Sequence, residues 1–274
     1  NERETDPGEG LLSLVEESGD RTPSEIGRLI GFLEDHAETE KELAAQLRER
    51  IVAVSGGPTP VIGFTGTGGA GKSSVVDELV MRLRRDAPGL RMALLLVDPT
   101  RRRSGGALLG DRIRMNAIGG PEIFVRSMAT RRANRSLSAA VGDALTILRH
   151  SGFDLVFLET AGIGQSDSEI VDQVETSLYV MTPDFGAPSQ LEKIDMIDFA
   201  DLIVLNKCDR RGAADALRDI RKQWRRNRNL PAVPDGEVPV FPTVARHWND
   251  PGPQRPASAL ADRPAHPGGP PPPP

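Results

Sequence analysis

Residues 61–74 couple two patterns that constrain each other. The apolar run Val61-Ile62-Gly63-Phe64 reads as a buried strand, and Gly66-Thr67-Gly68-Gly69-Ala70-Gly71-Lys72-Ser73-Ser74 follows it almost at once. Beyond that, Val75, Val76, Leu79 and Leu83 recur at helical spacing. The glycine stretch matches G-x-x-x-x-G-K-[ST] in the strand-to-helix context that this pattern needs. Its glycines let the backbone curl so that successive N–H groups point inward at phosphate oxygens, and the helix start near Lys72 adds the positive end of its dipole. Lys72 is placed to pair with β- and γ-phosphates, and Ser73 to ligate Mg²⁺. The plain alternative is a Gly-rich turn with an exposed lysine, and the strand-to-helix context speaks against it.

The alternation of strand and helix continues along the chain. Met92-Ala93-Leu94-Leu95-Leu96-Val97, Leu155-Val156-Phe157-Leu158 and Leu202-Ile203-Val204-Leu205 are short continuous apolar runs. Such runs suit strands buried on both faces, hence a parallel sheet covered by helices. Leu137, Val141, Leu145 and Leu148 mark one intervening helix, and Leu191, Ile194 and Ile197 another. The expectation is a doubly wound α/β domain with a mostly parallel sheet over residues 56–250. In front of it, Thr22-Pro23 supplies an N-cap with Pro at the first helical position. Ile26, Leu29, Ile30, Leu33 and Ala37 follow, so residues 22–55 read as one helix or a pair. Residues 1–21 are acidic and Gly-bearing and read as a tether with little fixed structure. Ten of the 24 residues 251–274 are Pro, too many for a core, so this tail reads as extended or disordered.

Asn206-Lys207-Cys208-Asp209 stands at the end of the last apolar run, 134 residues after Lys72. An N-K-x-D turn reads guanine because its Asp carboxylate accepts from both the ring N–H and the exocyclic amine, a donor pair that adenine does not present. Asn206 and Lys207 brace the loop and cover the base. Alone, the tetrapeptide reads equally well as a helix-capping turn; its place at a strand end behind the glycine loop favours the guanine reader.

Glu159-Thr160-Ala161-Gly162 ends another apolar run, where Ras-like proteins carry Asp-x-x-Gly. Glu159 is thereby a candidate for catalysis and for the Mg²⁺ shell. Gln165, three residues beyond Gly162, is the best placed amide to orient an attacking water. Asp98, at the carboxyl edge of the sheet where ligands bind in this fold, and Asp111 are further Mg²⁺ candidates, with turn or N-cap carboxylates as the plainer reading. Arg101, Arg102, Arg103, Arg126, Arg131 and Arg132 read as solvated surface ahead of an arginine finger in cis. Residues 210–228 carry an apolar stripe, Ala213, Ala216, Leu217, Ile220 and Trp224, beneath a basic face. That is an ordinary surface helix ahead of an RNA or partner site.

Val97-Asp98-Pro99-Thr100, the stretch from Ser104-Gly105-Gly106 to Leu109-Gly110-Asp111, and Glu159-Thr160-Ala161-Gly162-Ile163-Gly164-Gln165 resemble a known family. It is the metallochaperone-type, SIMIBI-class P-loop GTPases that serve adenosylcobalamin-dependent acyl-CoA mutases. Residues 66–74, Asn206-Lys207-Cys208-Asp209-Arg210-Arg211-Gly212-Ala213, Arg221-Lys222-Gln223-Trp224 and Asn249-Asp250-Pro251-Gly252 are similar in particular to the G domain inside fused isobutyryl-CoA mutase. The resemblance covers roughly residues 22–252. It implies Mg²⁺-dependent binding and hydrolysis of GTP, with Lys72 and Ser73 on phosphate and Mg²⁺. Asp98, Asp111 and Glu159 fall in its magnesium and switch region, and Asn206 and Asp209 on guanine. It also implies that GTP gates cobalamin loading, or protection, of an acyl-CoA mutase, separate or fused. The chain departs from the family pattern in carrying no Asp-x-His-x-x-Gly cobalamin segment and no mutase barrel, so no cobalamin site is expected in it. After Gly252 it turns Pro-rich where relatives continue into a mutase linker or dimerising helices, which leaves a homodimer open.

Composition bounds the remaining readings. A net charge of -5 argues against a nucleic-acid coat. No apolar run reaches the ~18 residues of a membrane span. The single cysteine, Cys208, has no partner for an intramolecular disulfide, and no secretory signal precedes the fold, so a cytoplasmic protein is expected. The chain starts at Asn1 and reads as a piece of something longer. Three rivals stand beside the GTPase: a GTP-dependent small-molecule kinase, a non-catalytic nucleotide-sensing module of a larger mutase, and a nickel-delivery GTPase. The last is weakened by the lack of a His-rich tract, since the chain has four His.

Overall fold

The computed structural model describes residues 7–16, 20–54, 58–99, 115–130, 139–160, 167–186, 188–192 and 194–246. Asp111, Gln165, Gly162, Arg101, Arg102, Arg103, Arg131, Arg132 and the Pro-rich tail lie outside these residues.

The strands are β1 (Val61–Gly66), β2 (Met92–Pro99), β3 (Ile123–Thr130), β4 (Leu155–Glu159), β5 (Thr176–Met181), β6 (Leu202–Leu205) and β7 (Val240–Pro242). They form one seven-stranded sheet in the order β3-β2-β4-β1-β5-β6-β7, and every pairing is parallel. Alternate residues of the same apolar run feed two separate cores. Val61, Leu95, Val156, Leu158, Tyr179 and Ile203 lie on one face. Ile62, Phe64, Leu94, Phe157, Leu178 and Val204 lie on the other. Full burial of such a side chain contributes about 1.5–3 kcal/mol, so both faces need helical cover.

The helices supply it. On one face lies α4 (Lys72–Asp86), through Val75, Val76, Leu79 and Val80. The other face takes α1 (Pro7–Glu16), α2 (Pro23–His36), α3 (Lys41–Val54) and α5 (Ala139–Arg149), together with α8 (Ala213–Asn227). Between β5 and β6 stand two single turns, α6 (Pro188–Leu191) and α7 (Met196–Phe199). The doubly wound α/β expectation therefore holds, and the sheet is parallel throughout.

Two expectations about single elements do not hold. The segment read as a tether contains α1, whose Leu11 and Val15, one helical turn apart, are buried against the helices that follow. The helix expected through Leu191, Ile194 and Ile197 is instead α6 and α7. Ile194 N donates to Leu191 O and Ile197 N to Ile194 O, bonds of tight turns rather than of a continuous α-helix. Three further strands complete the sheet: β3 and β7 lack a clean apolar run, and β5 has one, Leu178-Tyr179-Val180-Met181, behind a polar start. Thr176 and Ser177 open β5, and β5 is nonetheless wholly buried, because Asp201 Oδ2 accepts from Ser177 N at 2.9 Å and from its hydroxyl at 3.0 Å.

The N-terminal side carries two further helices, α2 and α3. Thr22 caps α2 through a complete capping box: its hydroxyl accepts from Glu25 N while Glu25 Oε2 accepts from Thr22 N. In α8 the stripe Ala216, Ile220 and Trp224 is buried, and arginines of its outer face pair with local carboxylates, Arg226 with Glu192 and Arg225 with Asp235.

Candidate functional site

β1 lies in the middle of the sheet, hydrogen-bonded to β4 on one side and β5 on the other. From β1 the chain goes to β2 and β3 on one flank and, after β4, to β5, β6 and β7 on the other. The carboxyl end of β1 is thus a topological switch point, where α/β sheets open a crevice.

Gly66 ends β1 there with φ +143°, and a Cβ on it would sit 1.9 Å from Val180 O of β5. The chain then loops through Thr67, Gly68, Gly69 and Ala70, with Ala70 N donating to Thr67 O at 3.1 Å. Gly71 caps α4 with φ +87°. A Cβ there would meet Asn206 Nδ2 at 2.6 Å, so the glycine is required both by its backbone and by what packs on it. Lys72 is 8% exposed and its ammonium folds back over the loop, 3.3 Å from Gly66 O and 3.5 Å from Thr67 O. The Thr67 hydroxyl is buried with no hydrogen-bond partner in the chain. Ser74 is exposed on the first turn of α4. A curled glycine loop, an ammonium folded back over the loop carbonyls, a helix N-terminus and an orphaned hydroxyl form a cradle for an anion.

Ser73 Oγ donates to Glu159 Oε1 at 2.7 Å, which joins the start of α4 to the end of β4. These are hard oxygen donors of the kind that suits Mg²⁺, and the pair fits that ion by its chemistry. The backbone of Asp98 is described, at the end of β2; Leu96 is level with Glu159, so Asp98 lies two residues further toward the same edge.

The Asn206-Lys207-Cys208-Asp209 turn follows β6 and leans on the glycine loop at two points. Asn206 Nδ2 donates to Ala70 O at 2.9 Å, and Lys207 Nζ donates to Gly69 O at 2.6 Å. Lys207 itself has φ +60°, a left-handed conformation. Residues 66–74, Glu159, Asn206, Lys207 and Asp209 thus meet at one end of the sheet.

One part of this cluster had no forecast. The turn after β7, Thr243-Val244-Ala245-Arg246, is laced to the 206–209 turn. Thr243 N donates to Leu205 O at 2.8 Å, Cys208 N to Thr243 O at 3.0 Å, and Ala245 N to Asn206 Oδ1 at 3.1 Å. Arg246 pairs with the Asp209 carboxylate. The signal for it was faint: a three-residue strand containing Pro, then small residues with no spacing motif.

Comparison with known proteins identifies the family. A family model described as methylmalonyl Co-A mutase-associated GTPase MeaB matches residues 26–250. Fused isobutyryl-CoA mutase of Geobacillus kaustophilus is 49% identical over 258 residues, which is 92% of this chain and 24% of that protein. The chain therefore spans about a quarter of that relative. A protein of Pyrococcus horikoshii that bears a GTPase name is 38% identical over 203 residues, 74% of this chain and 63% of that one. The crystal structure of a LAO/AO transport system kinase superposes with a TM-score of 0.68 at 23% identity, over 94% of this chain and 76% of that one, a likeness of fold. The chain belongs to the MeaB family, within the SIMIBI class of P-loop GTPases.

Proposed function

We propose that this chain binds and hydrolyses GTP with Mg²⁺, and that its GTP and GDP states gate cobalamin loading or protection of an acyl-CoA mutase of the isobutyryl-CoA or methylmalonyl-CoA type. The nucleotide half of the proposal rests above all on Asn206. That single buried amide touches the phosphate loop at Ala70 and the turn after β7 at Ala245, so it fixes the span between a triphosphate cradle and a base reader. The mutase half is supported by family membership and by relatives in which the similar segment is part of an isobutyryl-CoA mutase.

In this mechanism the loop amides and Lys72 hold the β- and γ-phosphates. The ammonium gives up the Gly66 and Thr67 carbonyls for phosphate oxygens, and charge-assisted bonds are roughly twice as strong as neutral ones. Ser73 and Glu159, joined by Asp98 and Asp111, would hold Mg²⁺, which would supply neutralisation of the charge that develops on the phosphates. Gln165 is assigned to the attacking water. Asp209 accepts from guanine, and Asn206 and Lys207 keep its turn against the loop. Most of the acceleration comes from positioning and fixed electrostatics.

Phosphate release from GTP and from ATP, with no acceptor added, tests this reading in the wild type and in Lys72→Ala. Release from GTP alone, abolished in the variant, is the expected result. Equal release from ATP, or undiminished release in Lys72→Ala, would overturn it. Tight GTP binding without release would mark a nucleotide sensor instead of an enzyme. Capture of a purified cobalamin-dependent mutase, compared with GDP and with a non-hydrolysable GTP analogue, tests the second half; capture blind to the nucleotide would remove it.

A further inference from the structure

The edge of guanine that an aspartate reads is itself a guanidine fragment, an N–H and an amine on one carbon. The Asp209 carboxylate is engaged by another guanidine: Arg246 Nη2 donates to Asp209 Oδ2. Arginine presents to a carboxylate the same planar pair of N–H donors that guanine does. We infer that Arg246 is an internal stand-in for guanine, which occupies the reading carboxylate while no base is bound and has to swing away when a nucleotide enters. The inference rests on Asp209 being the guanine reader.

The backbone around this pair leaves the side chain as the part that moves. Both strand ends are tied together through Thr243 N to Leu205 O, Cys208 N to Thr243 O and Ala245 N to Asn206 Oδ1. Arg246 therefore starts from a fixed point beside Asp209, a tethered ligand at high effective concentration. Its side chain is 68% exposed and that of Asp209 27%, so the guanidinium has solvent to swing into. The pairing keeps the carboxylate oriented and matched in charge before the base arrives. An incoming base replaces the lost Nη2–Oδ2 bond only if it brings its own N–H donors to the same carboxylate. Arg246 thus lowers affinity for guanine nucleotides and slows their entry, while adenine has nothing to offer in exchange.

Exposed ion pairs shift equilibria by a factor of about two to five, which sets the size of the effect. The test uses the whole chain with fluorescently tagged GDP, by titration and by stopped flow, in the wild type, Arg246→Gln and Arg246→Lys. Arg246→Gln is expected to bind GDP about two- to fivefold more tightly, chiefly through faster association. Arg246→Lys, a point charge without the fork, falls between. The gap between wild type and Arg246→Gln narrows as salt rises, because screening weakens the pair. Unchanged or weaker GDP binding in Arg246→Gln overturns the inference, the weaker result meaning that Arg246 holds the bound base instead. Failure of the guanine reading looks different: wild type that does not prefer GDP to ADP, or Asp209→Asn that keeps GDP affinity.

Discussion

The two ends of the candidate site are built in opposite ways. The phosphate end is carried by one stretch of chain, residues 66–74, whose lysine, 8% exposed, folds back over the carbonyls of Gly66 and Thr67. The base end is assembled from two turns, with Asp209 and Thr243 separated by 34 residues of sequence, and its key carboxylate meets an arginine that is mostly in solvent. The first end takes its curl from glycines local in the sequence. The second end has its shape only because tertiary hydrogen bonds through Asn206 and Thr243 bring the turns together. Damage at the phosphate end should therefore abolish binding, whereas damage at the base end should retune it.

Lys72→Ala is the sharpest test of that asymmetry. Each charge-assisted hydrogen bond that the ammonium would make to phosphate contributes about 1.5–3 kcal/mol. Two such bonds predict a loss of GTP affinity of at least about 100-fold, read by isothermal titration. Asp209→Asn comes next. The amide turns one acceptor into a donor, so GTP affinity falls about 10- to 100-fold, while the xanthine nucleotide, which has a carbonyl where guanine has its amine, gains. Competition between the two nucleotides reads both changes in one titration. A larger loss in Asp209→Asn than in Lys72→Ala would reverse the ranking of the two ends.

Asn206→Ala probes the link. The side chain is 3% exposed and serves Ala70 O, Ala245 N and the Thr243 hydroxyl. Its removal strands a buried N–H, which costs about 1–3 kcal/mol of folding stability. Denaturant unfolding is expected to show that loss together with about tenfold weaker binding of both GTP and GDP, since both ends shift. Weaker nucleotide binding with unaltered stability would mean that Asn206 touches the ligand and does not brace the site.

The same asymmetry decides what could be read from the residues alone. Glycine spacing, the flanking apolar strand and the following stripe are all local, so residues 66–74 announced their loop before any contact was known. Asn206 and Asp209 were legible as residue types at a strand end, but their partners were not. Arg246 stands far along the chain behind a three-residue strand, with only tertiary contacts to mark it. β5 was missed for a related reason. Its Leu178-Tyr179-Val180-Met181 is an apolar run as long as those of β4 and β6, but the strand opens on Thr176 and Ser177, and the buried Ser177 is satisfied only by the distant Asp201. In α1, Leu11, Leu12, Leu14 and Val15 make only a short apolar run, and Leu11 and Val15 are held because other helices cover them. Periodicity reports what an element does to itself, and misses what a distant segment does for it.

Lys207 offers the finest discrimination between the two ends, because its backbone belongs to one and its ammonium reaches the other. Its φ of +60° is strained for a residue with a Cβ, while Nζ donates to Gly69 O at 2.6 Å. Lys207→Ala keeps the left-handed strain, about 1–2 kcal/mol, and loses the bridge, about 1 kcal/mol net. Lys207→Gly loses the same bridge and relieves the strain. The glycine variant should therefore unfold near the wild-type denaturant midpoint and the alanine variant about 1 kcal/mol below it. If the bridge is what couples the ends, both variants weaken GDP binding alike, by a factor of about three to five, the equivalent of one such bond. Should Lys207→Gly bind far more weakly than Lys207→Ala, backbone preorganisation of the reading turn would be the stronger coupling. The base end would then share the backbone preorganisation that glycines give the phosphate end.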